Sequence, residues 1–219
     1  MTVVEPRLTL ERRLLRERPL IVACDEVGRG ALAGPVAVGA VAVDAPRARK
    51  RVPSGLRDSK LVPEARRPEV AARAAEWVCA SAVGWASSAE IDEIGIIRAL
   101  GLAAHRAIAQ LRVLGCDLSD ALVLLDGNHD YITPVQTTPW PVRPIIKGDR
   151  DCASASAASV IAKVARDDLM RDLDGDFPVY GWSRNKGYAS LDHRAAIREH
   201  GLSRHHRASW AIADAPTLF

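Results

Sequence analysis

The chain has 219 residues, 48% of them hydrophobic, and its 30 Lys and Arg against 27 Asp and Glu leave a formal charge of only +3. That is enough apolar material for the core of one large domain, and it excludes a disordered tail or a basic arm that binds polyanions by charge alone. The four cysteines, Cys24, Cys79, Cys116 and Cys152, share no metal-ligand spacing, and three sit in apolar or alanine-rich settings that suit small buried thiols in a reducing cytoplasm.

Residues 1–18 alternate Arg and Glu with Leu. They lack the apolar core of a secretory signal, and no segment reaches the length of a membrane span, so a cytoplasmic protein without membrane contact is expected. The same residues predict an N-terminal extension, either a lead-in amphipathic helix or a frayed segment, ahead of a domain over 19–219. Residues 20–24 are an apolar run bounded by a glycine turn and predict a first buried strand. A second strand over 35–43 follows closely enough to lie beside it as in a hairpin. Residues 52–60 read as loop, and 63–77 as a helix that Pro68 must restart or kink. A third strand is predicted over 78–86. Ser87 and Glu90 form a capping-box signature opening one helix that carries Ile91, Ile94, Ile97, Leu100, Ala104, Ile108 and Leu111 on one face and ends at Gly115. Residues 121–125 predict a wholly apolar fourth strand, and 142–146 a fifth. An alanine-rich helix over 154–173, a loop over 182–188, a short helix over 191–200 and a basic, aromatic coda complete the chain. Strands first, then strand and helix alternating, predict an α/β fold with a mixed central sheet flanked by helices. The fourth strand belongs at its centre, covered on both faces.

Three of the predicted strands end in acids: the first in Asp25 and Glu26, the fourth in Asp126, the fifth in Lys147-Gly148-Asp149. An isolated Asp-Glu pair reads as the start of a solvated loop. Ligands of open α/β sheets, however, gather at the carboxyl ends of strands. Four carboxylates brought together there need cations or protons. Two Mg²⁺ or Mn²⁺ ions about 4 Å apart are the natural counter-charge and suit in-line phosphoryl displacement, one serving the attacking water and the other the leaving 3′ oxygen. Asp151, Asp167 and Asp168 compete with Asp149 for the fourth place. Asp167 lies roughly 20 Å along its predicted helix and reads better as one half of an ion pair with Arg166.

Other residues suit a nucleic-acid substrate. Asp58-Ser59-Lys60 offers a hydroxyl and an ammonium for a phosphate, although a loop lysine is commonly only solvated. Gly28-Arg29-Gly30 allows close approach to backbone groups. Asn185-Lys186-Gly187-Tyr188 pairs a cation with a ring able to stack on a sugar or base, against the alternative of a packed tyrosine beside an exposed lysine. The histidines His200, His205 and His206 lack a fourth ligand nearby for zinc.

Together these segments resemble ribonuclease HII, the bacterial type 2 ribonuclease H. The resemblance rests on Asp25-Glu26-Val27-Gly28-Arg29-Gly30, Leu32-Ala33-Gly34-Pro35, Asp58-Ser59-Lys60, Glu90-Ile91-Asp92-Glu93 and Leu125-Asp126-Gly127-Asn128. It continues through Lys147-Gly148-Asp149, Ser156-Ala157-Ala158-Ser159, Ala162-Lys163, Arg166-Asp167, Lys186-Gly187-Tyr188 and His205-His206-Arg207. It runs in order from about residue 20 to 210. It implies an RNase H-like fold with a small C-terminal helical, duplex-gripping portion over about 175–219. The implied activity is hydrolysis of the phosphodiester 5′ of a ribonucleotide in RNA–DNA hybrids and at single ribonucleotides in DNA, leaving 5′-phosphate and 3′-hydroxyl ends. Asp25, Glu26, Asp126 and Asp149 are the implied catalytic metal ligands, for Mg²⁺ or Mn²⁺. Gly28, Arg29 and Gly30 are expected to read the 2′-hydroxyl, Lys60 to hold a nearby phosphate, Lys186 to contact the substrate, and Tyr188 to stack on the junction sugar. The extra acid Asp151 near this set is expected to perturb metal affinity. A monomer is expected, and the apolar tail at residues 216–219 is a candidate contact for a replication clamp.

Overall fold

The computed structural model describes residues 5–135 and 140–210. Helix α1 (Thr9–Leu14) leads into strand β1 (Leu20–Val27), which pairs antiparallel with β2 (Val36–Asp44) from Leu20 opposite Asp44 to Val27 opposite Ala37. β3 (Ala80–Ala86) adds antiparallel to β2. β4 (Leu122–Asp126) lies parallel to β1 on its other side, and β5 (Val142–Ile145) parallel to β4, giving the order β3-β2-β1-β4-β5. The mixed sheet is thus as expected, with β1, β2 and β4 buried inside it. β5 is an edge strand, the place where the missing N–H of Pro144 is tolerated.

Successive side chains of a strand point to opposite faces, and here both faces are covered. Val22, Cys24, Val38, Ala40, Val123 and Leu125 pack on one side. Ile21, Ala23, Val41, Val43, Leu122 and Leu124 pack on the other. Beyond β2, helix α2 (Ala45–Arg49) is capped by Asp44, whose Oδ1 accepts the Arg47 N–H at 2.8 Å. The helix expected over 63–77 is instead a 3₁₀ turn, Glu64–Arg66, followed by α3 (Arg67–Trp77). Pro68 falls in the first turn of α3, where an N–H has no intrahelical partner to lose.

The single helix predicted after Ser87 is two. α4 (Ser88–Ile94) opens with the full capping box, and α5 (Ile96–Val113) follows across Gly95, whose φ of 79° is outside helical space. The stripe Leu100, Ala104, Ile108 and Leu111 still buries as one face against the first side of the sheet. α6 (Gly148–Asp151) is one turn, and α7 (Ala153–Asp176) crosses the second side. The alanines of α7 allow close approach: a Cβ at Gly39 of β2 would stand 2.4 Å from the Ala158 carbonyl.

The N-terminal segment is docked. Leu8 and Leu14 are buried, and the fully buried Glu11 accepts the Ser154 N–H at 2.9 Å and hydroxyl at 2.8 Å, beside the start of α7. After α7 come α8 (Trp182–Asn185), in the stretch expected to be loop, and α9 (Leu191–His200). Tyr180, Trp182, Ala196 and Ile197 form a separate small core with Leu32, Ala33 and Met170. Of the cysteines only Cys24 and Cys152 are buried, and Cys79 is exposed at the β3 edge of the sheet. No described helix is long and apolar enough to cross a membrane.

Candidate active site

β1 does not stop before its acids but runs through them, so Asp25 and Glu26 are strand residues held by the ladder to β2. Asp25 continues the row of Ile21 and Ala23 towards α7, and only 8% of it is exposed. Asp126 is the last residue of β4, one step beyond the Cys24–Leu125 pair of the parallel register, which sets it beside Asp25. Asp149 comes from α6, just past the end of β5, and its N–H donates to Asp126 Oδ1 at 3.1 Å. Glu26 takes the other face, where the buried Tyr131 hydroxyl donates to its Oε2 at 3.3 Å.

The electrostatics of this group are those of acids crowded without enough counter-charge. Burial, then the neighbouring Asp126, pushes the Asp25 carboxyl well above the usual carboxylate range, against a hydrogen bond from Ser159. Asp126 is raised by burial despite the N–H groups of Asp149 and Gly148. Asp149 is raised by burial and by Asp126, with Lys60 opposing. At Lys60 burial pulls the ammonium down, but Asp58, Asp149, Asp25 and Asp126 outweigh it and its pKa rises. An all-oxygen donor set in which Asp25, Asp126 and Asp149 are each raised by burial suits a hard divalent cation as counter-charge. Among the described residues no three His, Cys, Asp or Glu side chains are placed so that they could hold a metal ion as they stand.

A cleft of about 470 Å³ opens over the group, lined by Asp25, Glu26, the turn Gly28-Arg29-Gly30, Ser59, Lys60, Ser159, Lys163 and Tyr188. Lys60 reaches Asp149 Oδ2 at 3.6 Å and keeps most of its side chain in solvent. Its loop is anchored from below, since Ser59 is buried with its hydroxyl 3.1 Å from that of Ser159. Arg29 stays exposed, 3.5 Å from Glu26. The Tyr188 ring is partly exposed and lies 5.5 Å from the Arg166 guanidinium.

Not every candidate joins the site. Lys186 is buried, in a left-handed conformation, and its ammonium is engaged by Glu64 at 3.3 Å and by the Ser183 carbonyl, so it is held away from the cleft. Asp151 does not crowd the carboxylates: it is exposed, pairs with Arg150 at 2.7 Å and lines a different cavity with Arg7 and Arg13. Asp167 is in a buried ion network, but with Lys163 at 2.6 Å and Arg67 at 3.6 Å rather than with Arg166. His206 is buried against His193, their Nε2 atoms 3.2 Å apart. The partners of Tyr131, Ser159, Arg166 and Arg207 are remote in sequence; the last three fall in segments that carry the family resemblance, but no spacing shows what they hold in the site.

The ribonuclease HII family profile matches residues 22–213. The chain belongs to the ribonuclease HII family. It is 46% identical to the ribonuclease HII of Streptomyces coelicolor over 212 residues, 96% of this chain and 85% of that one. The ribonuclease HII of Paracoccus denitrificans is 44% identical over 94% of this chain and 92% of its own. Among solved structures, RNase HII in the PCNA complex of Archaeoglobus fulgidus superposes with a TM-score of 0.69 at 25% identity, covering 87% of this chain and 95% of that one. Bst-RNase HIII in complex with Mn²⁺ gives 0.72 at 22% identity, over 89% and 68%, a likeness of fold. Members of the ribonuclease HII family are metal-dependent hydrolases of the ribonuclease H type, acting on RNA–DNA hybrids, and the chain is an enzyme of that kind.

Proposed function

We propose that the chain cuts the phosphodiester on the 5′ side of a ribonucleotide, in hybrids and at single ribonucleotides embedded in duplex DNA, and so serves ribonucleotide removal. The products are 5′-phosphate and 3′-hydroxyl ends. The observation that carries this reading is the buried Asp25, which lines a cleft together with Gly28-Arg29-Gly30 and is crowded by Asp126 and Asp149. Asp25, Glu26, Asp126 and Asp149 would hold two Mg²⁺ or Mn²⁺ ions. When bound, the ions supply positive charge for the attacking water and the leaving 3′ oxygen. Lys60 holds the phosphate next to the reacting one, and Tyr188 offers a ring to the sugar at the junction. The C-terminal helical portion, from about residue 175, is assigned the grip on the duplex. A clamp contact through residues 216–219 falls outside the described residues.

A Cβ at Gly30 would meet no atom of the protein within 4 Å. Glycine there leaves room for something that approaches from outside. Gly30→Ala is therefore expected to keep the melting temperature of the parent while losing about tenfold or more in kcat/KM. A variant that melts early, or one with full activity, contradicts the role. Tyr188→Ala is expected to slow cleavage at a single ribonucleotide more than it weakens duplex binding, and equal losses count against stacking at the junction.

The deciding experiment compares a duplex bearing one ribonucleotide with the all-DNA duplex of the same sequence, in Mg²⁺ and in Mn²⁺, and maps the cut. Cleavage 5′ of the ribonucleotide alone is expected. Cleavage of the DNA control, or of long hybrids only, replaces this reading with another RNase H-like nuclease.

A further inference from the structure

Arg207, from the coda beyond α9, is completely buried although it bears a full charge. Its Nη1 donates to the Arg29 carbonyl at 2.8 Å, its Nη2 to the carbonyls of Gly28 at 2.6 Å and Gly34 at 3.1 Å, and its Nε to Gly34 at 3.2 Å. Arg166, from α7, is equally buried and completes the arrangement from the other side, donating to the carbonyls of Pro35 at 2.9 Å, Ala33 at 3.2 Å and Lys186 at 2.9 Å. Among the described residues neither guanidinium forms an ion pair with a carboxylate. Arg207 instead lies 4.7 Å from the Trp210 ring, and Asp92 fixes the chain beside it by accepting the N–H groups of Ala208 at 2.9 Å and Ser209 at 3.0 Å. Two cations under one short turn, drawn by Asp167 and Asp92 only from beyond ion-pair distance, are costly to bury. A planar fork of five fixed donors can satisfy several carbonyls at once, which a lysine cannot.

We infer that Arg207, with Arg166 beside it, is a positioning residue for substrate discrimination: its guanidinium fixes the Gly28-Arg29-Gly30 turn in the shape that reads the ribonucleotide. The inference rests on the proposed role of that turn. The clamp consumes the carbonyls of Gly28 and Arg29, while the N–H groups of Arg29 and Gly30 donate to no acceptor among the described residues. The turn that lines the cleft thus keeps the Arg29 and Gly30 N–H groups for a substrate oxygen, with the Gly28 and Arg29 carbonyls already engaged. Gly28 is part of the same fit: its φ is 83°, and a Cβ there would stand 2.0 Å from Arg166 Nε. The aromatic face of Tyr188 rests on the same guanidinium, so one pair of arginines sets both the turn and the ring.

The test uses the full chain and the variants Arg207→Lys and Arg207→Met, at a temperature where circular dichroism shows each to be folded. Wild type is first assayed on the single-ribonucleotide duplex and its all-DNA control. Failure of wild type to discriminate overturns the role of the turn itself. Given discrimination by wild type, folded Arg207→Lys is expected to lose about 10²-fold in kcat/KM on the ribonucleotide duplex, the scale of a 1 Å misplacement, while duplex affinity stays within about threefold. Arg207→Lys with wild-type kcat/KM and discrimination overturns the positioning role alone. A second measurement needs no variant. ¹⁵N relaxation on the free wild-type protein is expected to give the Arg29 and Gly30 amides order parameters near 0.85, the value of rigid backbone. Values below about 0.6 overturn the proposal even if both variants fail to fold.

Discussion

Asp25→Asn is expected to abolish cleavage and, in the absence of divalent ions, to raise the melting temperature. The first effect follows from the metal-holding role proposed for Asp25, the most enclosed carboxylate at the point where the sheet's acids meet. A metal ion's contribution to the transition state is several kcal/mol, and at about 1.4 kcal/mol per tenfold its loss lowers kcat by about 10³-fold or more. The second follows from linkage. Burial and Asp126 raise the folded-state pKa of Asp25 above its unfolded value, so between the two values the folded chain holds a proton that the unfolded chain has released. Stability of the metal-free protein therefore falls as pH rises from the ordinary carboxylate range through the raised value. The asparagine removes that slope. Apparent metal affinity of the parent rises over the same window, because binding displaces the proton. Cleavage assays with thermal melts at several pH values, in chelator and in Mg²⁺, check all three. Full activity of the pure variant, or a lower melting temperature in chelator, refutes the account.

Asp167→Ala is expected to cost about 3–5 kcal/mol of stability, the scale of breaking a buried ion pair from one side. Only 3% of the Asp167 side chain is exposed, and its removal strands Lys163, 15% exposed, and Arg67, 17% exposed. Arg67 also donates to the carbonyls of Ser59 at 3.1 Å and Val62 at 3.0 Å. The network thus ties α7 to the loop that carries Lys60, and KM is expected to rise along with the loss of stability. Urea unfolding should show a lower midpoint at unchanged slope. A loss below about 1 kcal/mol, typical of an exposed pair, would mean that the network is solvated in solution.

The chain carries its local signals where the physics is local. The apolar runs that bury both faces of β1 and β2 and the capping box of Ser87 and Glu90 are present in the order of the residues, as are the acids that end the predicted strands at Asp25, Asp126 and Asp149. The boundary at Gly95 leaves no mark in the pattern, because the apolar stripe runs on across it and only the backbone shows a φ that no helix contains. Pro68 was visible as an interruption, but its place in the first turn of α3 makes it benign.

What tertiary structure alone decided is which cations face the cleft and which hold it together. Lys60 and Lys186 look equivalent as lysines in glycine- or serine-bearing loops, yet Glu64 from a distant turn captures Lys186 and leaves Lys60 to the carboxylates. Arg166 and Arg207 stand in segments that carry the resemblance, yet nothing local shows what they hold, because their acceptors lie 131 to 179 positions away along the chain, except for the nearer Lys186 carbonyl. The physical reason is range. Periodicity, caps and turns act within a few residues and are written in neighbouring letters, whereas a buried charge is placed by whichever carbonyls the folded chain brings to it.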